Sequence, residues 1–231
     1  TAGAIVITDV AGNGEALTVS QNGANIRFDA TGRTYSLNGG PTLNLPADVA
    51  LAGASSITVN TAVGNDNISI GAFTANLPSL TINGGVGDDA VNFNGDITFA
   101  SNANLDVDLQ NDDATPGVDV FVVANSVNLL LSGTGTASVK VSKTILINND
   151  GSIETQNGGW TLEANQQATS STGNFNGIRI NPGALIRSVN GNISMAGRAG
   201  TANSFTQHGI ENLGTITTTG TGNSLLVGMG G

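Results

Sequence analysis

The residues with the most chemical potential in this chain are carboxylates that recur at one spacing. Asp66, Asp89 and Asp112 lie 23 apart, and so do Asn65, Asp88 and Asn111. They close three matching rows, Ile57–Asp66, Leu80–Asp89 and Leu105–Asp113. The middle row runs into Gly84-Gly85-Val86-Gly87-Asp88-Asp89-Ala90-Val91-Asn92, which fits the calcium-binding nonapeptide G-G-x-G-x-D-x-U-x at every fixed position. In a calcium β-roll that nonapeptide recurs in tandem, so that carboxylates of adjacent coils share an ion. Here it occurs once in full, and the row before it, Thr61-Ala62-Val63-Gly64-Asn65-Asp66, lacks the first two glycines.

Stacked strands lie about 4.8 Å apart. At that separation two carboxylates repel by about 1 kcal/mol in water, and by several times more when partly desolvated. Two readings resolve the repulsion. In the first, the carboxylates are exposed, hydrated, and accept backbone N–H groups within their own turns. The alternation Asn65, Asp88, Asn111 already removes like charges from one column. In the second, a calcium ion with oxygen ligands reverses the sign, and Asp66, Asp88, Asp89 and Asp112 are its candidate ligands. The first reading is the expectation taken forward, with calcium as its alternative. No other cofactor is implied, and the absence of cysteine excludes thiolate metal sites and cysteine nucleophiles.

The other titratable groups suggest no catalysis. Asp106 and Asp108 share one strand face, with Asp119 close by in sequence. Carbohydrate-cleaving enzymes pair acids in this general way, but solvated outer-face charges are the simpler reading. His208 stands beside Gly209 without a Ser or Asp partner in motif spacing, and Arg179, Arg187 and Arg198 are scattered on what reads as an outer face. Trp160 aligns with Ile193, a core position, and Tyr35 stands alone. No catalytic or cofactor-binding residue is assigned, and the chain is read as a non-enzyme.

The elements that must hold these residues are short strands. A period of about 20–50 residues marks a solenoid whose coils stack on one another. Residues 1–50 alternate apolar and polar between Asn22-Gly23 and Asn38-Gly39-Gly40, which predicts an antiparallel meander or cap. Residues 51–150 follow the 23-residue register. Residues 151–231 follow a longer one: Ile153–Ala164 matches Ile186–Gly197 and then Ile216–Gly228, while Gly177-Ile-Arg-Ile matches Gly209-Ile-Glu-Asn. Coils of 30–33 residues with three strands each predict a right-handed parallel β-helix, all-β, with a short antiparallel N-terminal segment. No helix is predicted, and Gln166–Asn176 reads as a loop leaving the coil.

Composition narrows the function. Of 231 residues 33 are glycine, only 10% are charged and 39% are hydrophobic, a balance that favours a folded strand protein over a disordered one. The net charge of −10 disfavours nucleic acid and anionic membrane as partners. Residues 1–120 carry 13 acidic and 2 basic side chains, net −11; residues 121–231 carry 4 and 5, net +1. No apolar run reaches the ~18 residues that span a bilayer. No signal-peptide pattern opens the chain, so an exported protein would have lost it or carry it on a longer parent chain.

The Ile57–Asp113 rows, the run Thr161-Leu-Glu-Ala-Asn-Gln-Gln-Ala168 and the coil opening Ile216-Thr-Thr-Thr-Gly220 resemble giant bacterial surface proteins built from haemagglutinin-like and adhesin-like β-strand repeats. The resemblance implies a parallel β-helix displayed outside the cell, commonly as part of a longer chain. It brings no active site with it. The resulting expectation is an extracellular structural or adhesive β-solenoid, a cell-surface, surface-layer or filament component. Its expected partners are neighbouring repeats or other copies stacked end to end, because Ser224–Gly231 reads as a core strand without a polar cap. A carbohydrate-binding or carbohydrate-cleaving β-helix, with surface glycans as partner, and a calcium-dependent surface module are the alternatives.

Overall fold

A computed structural model describes residues 3–110, 117–201 and 207–230, and every regular element among them is a strand. The first six are β1 (Ala4–Asp9), β2 (Ala16–Asn22), β3 (Asn25–Asp29), β4 (Thr34–Leu37), β5 (Thr42–Asn44) and β6 (Ala47–Ala50). Next come β7 (Ser56–Asn60), β8 (Asn67–Ile70), β9 (Ser79–Asn83), β10 (Ala90–Phe93), β11 (Ile97–Thr98) and β12 (Leu105–Asp108). After them come β13 (Val120–Val123), β14 (Asn128–Leu131), β15 (Ala137–Val141), β16 (Thr144–Ile147), β17 (Ser152–Thr155) and β18 (Trp160–Ala164). The last are β19 (Ile178–Ile180), β20 (Leu185–Ser188), β21 (Ile193–Arg198), β22 (Ile210–Asn212), β23 (Thr215–Thr218) and β24 (Ser224–Met229).

These strands build three long sheets. Sheet A orders β24-β21-β18-β15-β12-β9-β7-β1-β4-β5, sheet B orders β22-β19-β16-β13-β10-β8-β2-β3-β6, and sheet C orders β11-β14-β17-β20-β23. From β9 onward the chain visits A, B and C in turn, one pass after another. Each strand except β11, which begins sheet C, pairs parallel to the strand one pass earlier. Parallel neighbours need a long crossover, and here the crossover is the rest of the pass.

Alternation within each strand sets the faces. In β9 and β15 every second residue is buried, as the two-residue side-chain period requires. In-register pairing then stacks like on like. Val59, Ile82, Val107, Val139, Leu162 and Met195 form one column in sheet A, and each is 0–1% exposed. Beside it Trp160 lies between the small Ala137 and Ile193. In sheet C, Ile153 pairs with Ile186 and Ile186 with Ile216, and in sheet B Ile178 pairs with Ile210, the alignments read from the longer repeat.

One expectation changes. Leu80 pairs with Ile57, a step of 23, but Leu105 pairs with Leu80, a step of 25, so Ile82 lies beside Val107 rather than Leu105. The next partner of Leu105 is Ala137, 32 residues on. No single 23-residue register runs through residues 51–150. Residues 4–50 hold the expected antiparallel pairs and are joined directly to the parallel stack. β3 and β6 extend sheet B antiparallel to β2, and β4 and β5 extend sheet A antiparallel to β1, while β1 and β2 pair parallel with β7 and β8. The segment between β18 and β19 carries no strand, as read, and Asn165 anchors its base by donating to the Ser171 carbonyl at 3.2 Å.

Candidate functional site: a buried carboxylate column

The corner where sheet A hands over to sheet B carries the acidic residues. It is formed by the chain after β1, β7, β9 and β12, and in each pass a carboxylate turns inward. Asp66 and Asp89 are 1% exposed, Asp119 is 0% and Glu15 is 8%. Asp66, Asp89 and Asp119 are each tied to the pass before. The Glu15 N–H donates to Asp66 Oδ1 at 2.9 Å, the Asp66 N–H to Asp89 Oδ1 at 2.9 Å, and the Asp89 N–H to Asp119 Oδ1 at 2.7 Å. The Asp119 N–H continues the ladder to Ser142 Oγ at 3.0 Å. Ser142 donates to the Gly117 carbonyl, and Gln167 Nε2 donates to the Ser142 carbonyl and to Asn165 Oδ1. The acidic column thus passes into a neutral one of hydroxyls and amides.

The preceding residue in each row points the other way. Asn65 and Asp88 are exposed. Asn65 Oδ1 accepts the Asp88 N–H at 3.0 Å, and Asp88 Oδ1 accepts the Val118 N–H at 2.8 Å. Outer side chains therefore bind the next pass, and inner ones the previous pass. The two ladders clamp each corner turn from both sides.

Glycine makes the corner possible. A Cβ on Gly84 would sit 2.3 Å from Asp89 Oδ2, so the glycine leaves the carboxylate its space. Gly87 has φ +144°, and a Cβ there would meet the Gly64 carbonyl oxygen at 1.8 Å. The glycine signature that resembles a calcium motif is accounted for by close stacking of two backbones and one buried carboxylate.

At the N-terminal end the column meets its only cation among the described contacts. Tyr35 donates its hydroxyl to Glu15 Oε1, and Arg33 Nε lies 3.6 Å from Glu15 Oε2. Asp9, also buried, accepts the Ala11 and Gly12 N–H groups at 2.9 and 2.7 Å. Burial raises the pKa of Asp66 to about 6; the Glu15 N–H opposes this and the charge of Asp89 adds to it. Burial likewise raises Glu15, against the hydrogen bond from Tyr35, and holds Tyr35 as a neutral phenol.

The residues singled out in the sequence separate accordingly. Asp66 and Asp89, expected in water, are buried, because their second period-two face is the interior. Asp88 lies on the opposite face, so these three do not converge on one point. Asp112 lies outside the described residues. Asp119, expected on the outer face, fills the inner column where the third row placed Asp112. Among the described residues no group of three or more Asp, Glu or His side chains is arranged to hold a metal ion. Asp106 is exposed and Asp108 half-buried on the outer side of β12, and His208 is exposed. Arg179 pairs with Glu211 at 3.2 Å and Arg187 pairs with Glu154.

Sequence reasoning missed Asp119 and Glu15 as members of the column. A signal for Asp119 is present in a pattern independent of spacing: Gly64-Asn-Asp66-Asn-Ile, Gly87-Asp-Asp89-Ala-Val and Gly117-Val-Asp119-Val-Phe all read glycine, any residue, aspartate, any residue, apolar.

A second feature lies at the corner from sheet C to sheet A. Gly158 stacks on Gly135, Gly191 on Gly158 and Gly222 on Gly191, and an added Cβ would meet the carbonyl below at 1.8, 1.9 and 2.0 Å respectively. Without side chains the corner is concave. It forms a groove of about 720 Å³ flanked by Thr134, Thr136, Asn157, Thr161, Asn190 and Asn192 and lined by no charged residue. Asn190 Nδ2 donates to Asn157 Oδ1 at 2.8 Å along its rim. No protein family, curated protein or solved structure matches this chain.

Proposed function

We propose that the chain is a segment of a right-handed parallel β-solenoid with an extracellular structural or adhesive role, a rod that acts as a spacer, surface layer or filament component. The observation that carries this reading is the in-register aliphatic column Val59–Met195, repeated pass after pass in parallel sheets visited in fixed order. The strong preference of parallel crossovers for one hand favours the right-handed form. Such a core grows along an axis, which suits length and stiffness rather than a reaction centre. Display outside the cell rests on the resemblance to bacterial surface repeats.

The rod reading includes end-to-end contact. β24 lies at the edge of sheet A and exposes Leu225, Leu226 and Val227. An unpaired edge is a template for another strand, whether supplied by the same polypeptide or by another copy. Sedimentation velocity across a wide concentration range, with electron microscopy of the same samples, tests the reading. Elongated particles that lengthen with concentration are expected; compact particles of one size at every concentration overturn it.

A neutral-glycan adhesin is the second reading, favoured by the uncharged groove beside Asn157 and Asn190. Amide chemical-shift changes confined to that corner on adding neutral oligosaccharides would support it.

A further inference from the structure

We propose that the inner carboxylate column is a proton-binding device, which takes up protons on mild acidification, tightens the stacked A–B corner and loosens it again above neutral pH. Asp66 sits among acids. Glu15 and Asp9 face it from the preceding pass, Asp89 from the following pass, and Thr61 from its own turn. All of the titratable groups among these are acids. Arg33 reaches Glu15 Oε2, and among the described residues no cation pairs with Asp66. A buried charge among like charges is costly unless it is paired or neutralised.

The hydrogen bonding is half complete. Asp66 Oδ1 accepts the Glu15 N–H at 2.9 Å, whereas Oδ2 is buried without a hydrogen-bond partner among the described residues. Thr61 lies beside it and favours the charged carboxylate, against burial, but its hydroxyl donates to the Gly84 carbonyl at 2.7 Å. A proton on Asp66 Oδ2 completes the set. It turns the carboxyl into a donor toward Thr61 Oγ1, which keeps its own bond to Gly84. The same proton removes the repulsion between Asp66 and Asp89 and between Asp66 and Glu15.

These contacts fix the direction of the pH effect. The folded protein holds Asp66 protonated up to about pH 6, while the unfolded chain releases that proton near 3.8. The stabilisation is therefore full below the unfolded value and is lost as pH rises through the folded one. Glu15, raised in the same direction by burial, adds to the trend.

Thermal melting in chelator, from about pH 7.5 to about pH 4.5, tests the proposal alongside Asp66→Asn. The amide keeps the shape, accepts the Glu15 N–H and offers Thr61 a permanent donor. The wild-type melting temperature is expected to rise by roughly 4 °C or more over this range. The variant is expected to melt higher than wild type at about pH 7.5 and to rise less on acidification, which separates the column from general relief of the net charge of −10. A wild-type melting temperature that stays level or falls on acidification overturns the proposal, as does a variant with the wild-type slope. Carboxyl carbon-13 titration of the wild type decides independently of how the variant folds. One aspartate titrating near pH 6 supports the proposal; all aspartates titrating below about pH 4.5 overturn it.

Discussion

Two neighbouring residues, Asp88 and Asp89, share chemistry and differ in consequence because a strand turns successive side chains to opposite faces. Asp88 is in water, where a solvent molecule can replace the acceptor it offers to Val118. Asp119, the inner counterpart one pass on, is fully buried and receives the Asp89 N–H at 2.7 Å. Asp119→Ala leaves that donor without its acceptor in the interior, at a cost of about 1–3 kcal/mol, whereas Asp88→Ala is expected to cost less than about 1 kcal/mol. Urea unfolding of the two variants checks the ratio, and equal losses would mean the inner ladder is no stronger than the outer. Gly87 presents a steric version of the same asymmetry. Its positive φ disfavours any side chain, and a Cβ would lie 1.8 Å from the Gly64 oxygen. Gly87→Ala is expected to cost at least about 2 kcal/mol, the strain alone accounting for 1–2 of it. Gly230, around which nothing lies within 4 Å, supplies the control, with Gly230→Ala near zero.

At the scale of the strand, the column rather than the single contact is the unit of stability. Leu162 in β18 packs between Val139 of β15 and Met195 of β21, and its neighbour Thr161 faces outward, half-buried. Leu162→Ala is expected to cost about 2–5 kcal/mol because flanking passes pinned by backbone ladders cannot collapse into the void. Thr161→Ala should stay below about 1 kcal/mol, and denaturant midpoints compare the two directly. The period-two pattern behind this contrast also explains which parts of the fold are legible in the sequence. Strand identity and inward face derive from alternation, so Ile153, Ile186 and Ile216 can be aligned from sequence alone. Register is harder, because a slip of two residues preserves every inward and outward assignment. Ile82 with Leu105 looks as sound in sequence as the true pair Ile82 with Val107. The inner column is hidden for a different reason. Aspartate is among the residues least often buried, so its chemistry argues for water, and the acid that accepts the Asp89 N–H is Asp119, which the repeat spacing does not mark. The neutral continuation through Ser142 and Gln167 has no spacing to betray it, since its partners are carbonyls and amides brought together only by stacking.

Among the described residues the N-terminal end of the stack is covered by antiparallel strands, while β24 exposes apolar side chains. At the N-terminal end antiparallel β3–β6 lie over the first parallel pass and bury Ile26, Phe28 and Tyr35 completely. At the other end Leu226, which pairs with the buried Met195, is itself 43% exposed. In a structure where each parallel strand pairs only with strands of adjacent passes, stability is approximately a sum of pass and interface contributions, and a pass with one neighbour lacks one interface. Opening is then expected to run inward from β22–β24, with β9, β12 and β15 the last to be exposed. Native-state hydrogen exchange should show a gradient along sheet A. Amides of β24 and β21 should exchange at least about tenfold faster than those of β12 and β15, a difference of about 1.4 kcal/mol in opening free energy. Pairing of β24 with a further strand, by concentration-driven self-association, should slow exchange in β24 and β21 and leave the centre unchanged. Uniform protection from β1 to β24 would instead show that the whole stack opens as one cooperative unit, and would remove the basis for expecting the open end to act independently of the rest.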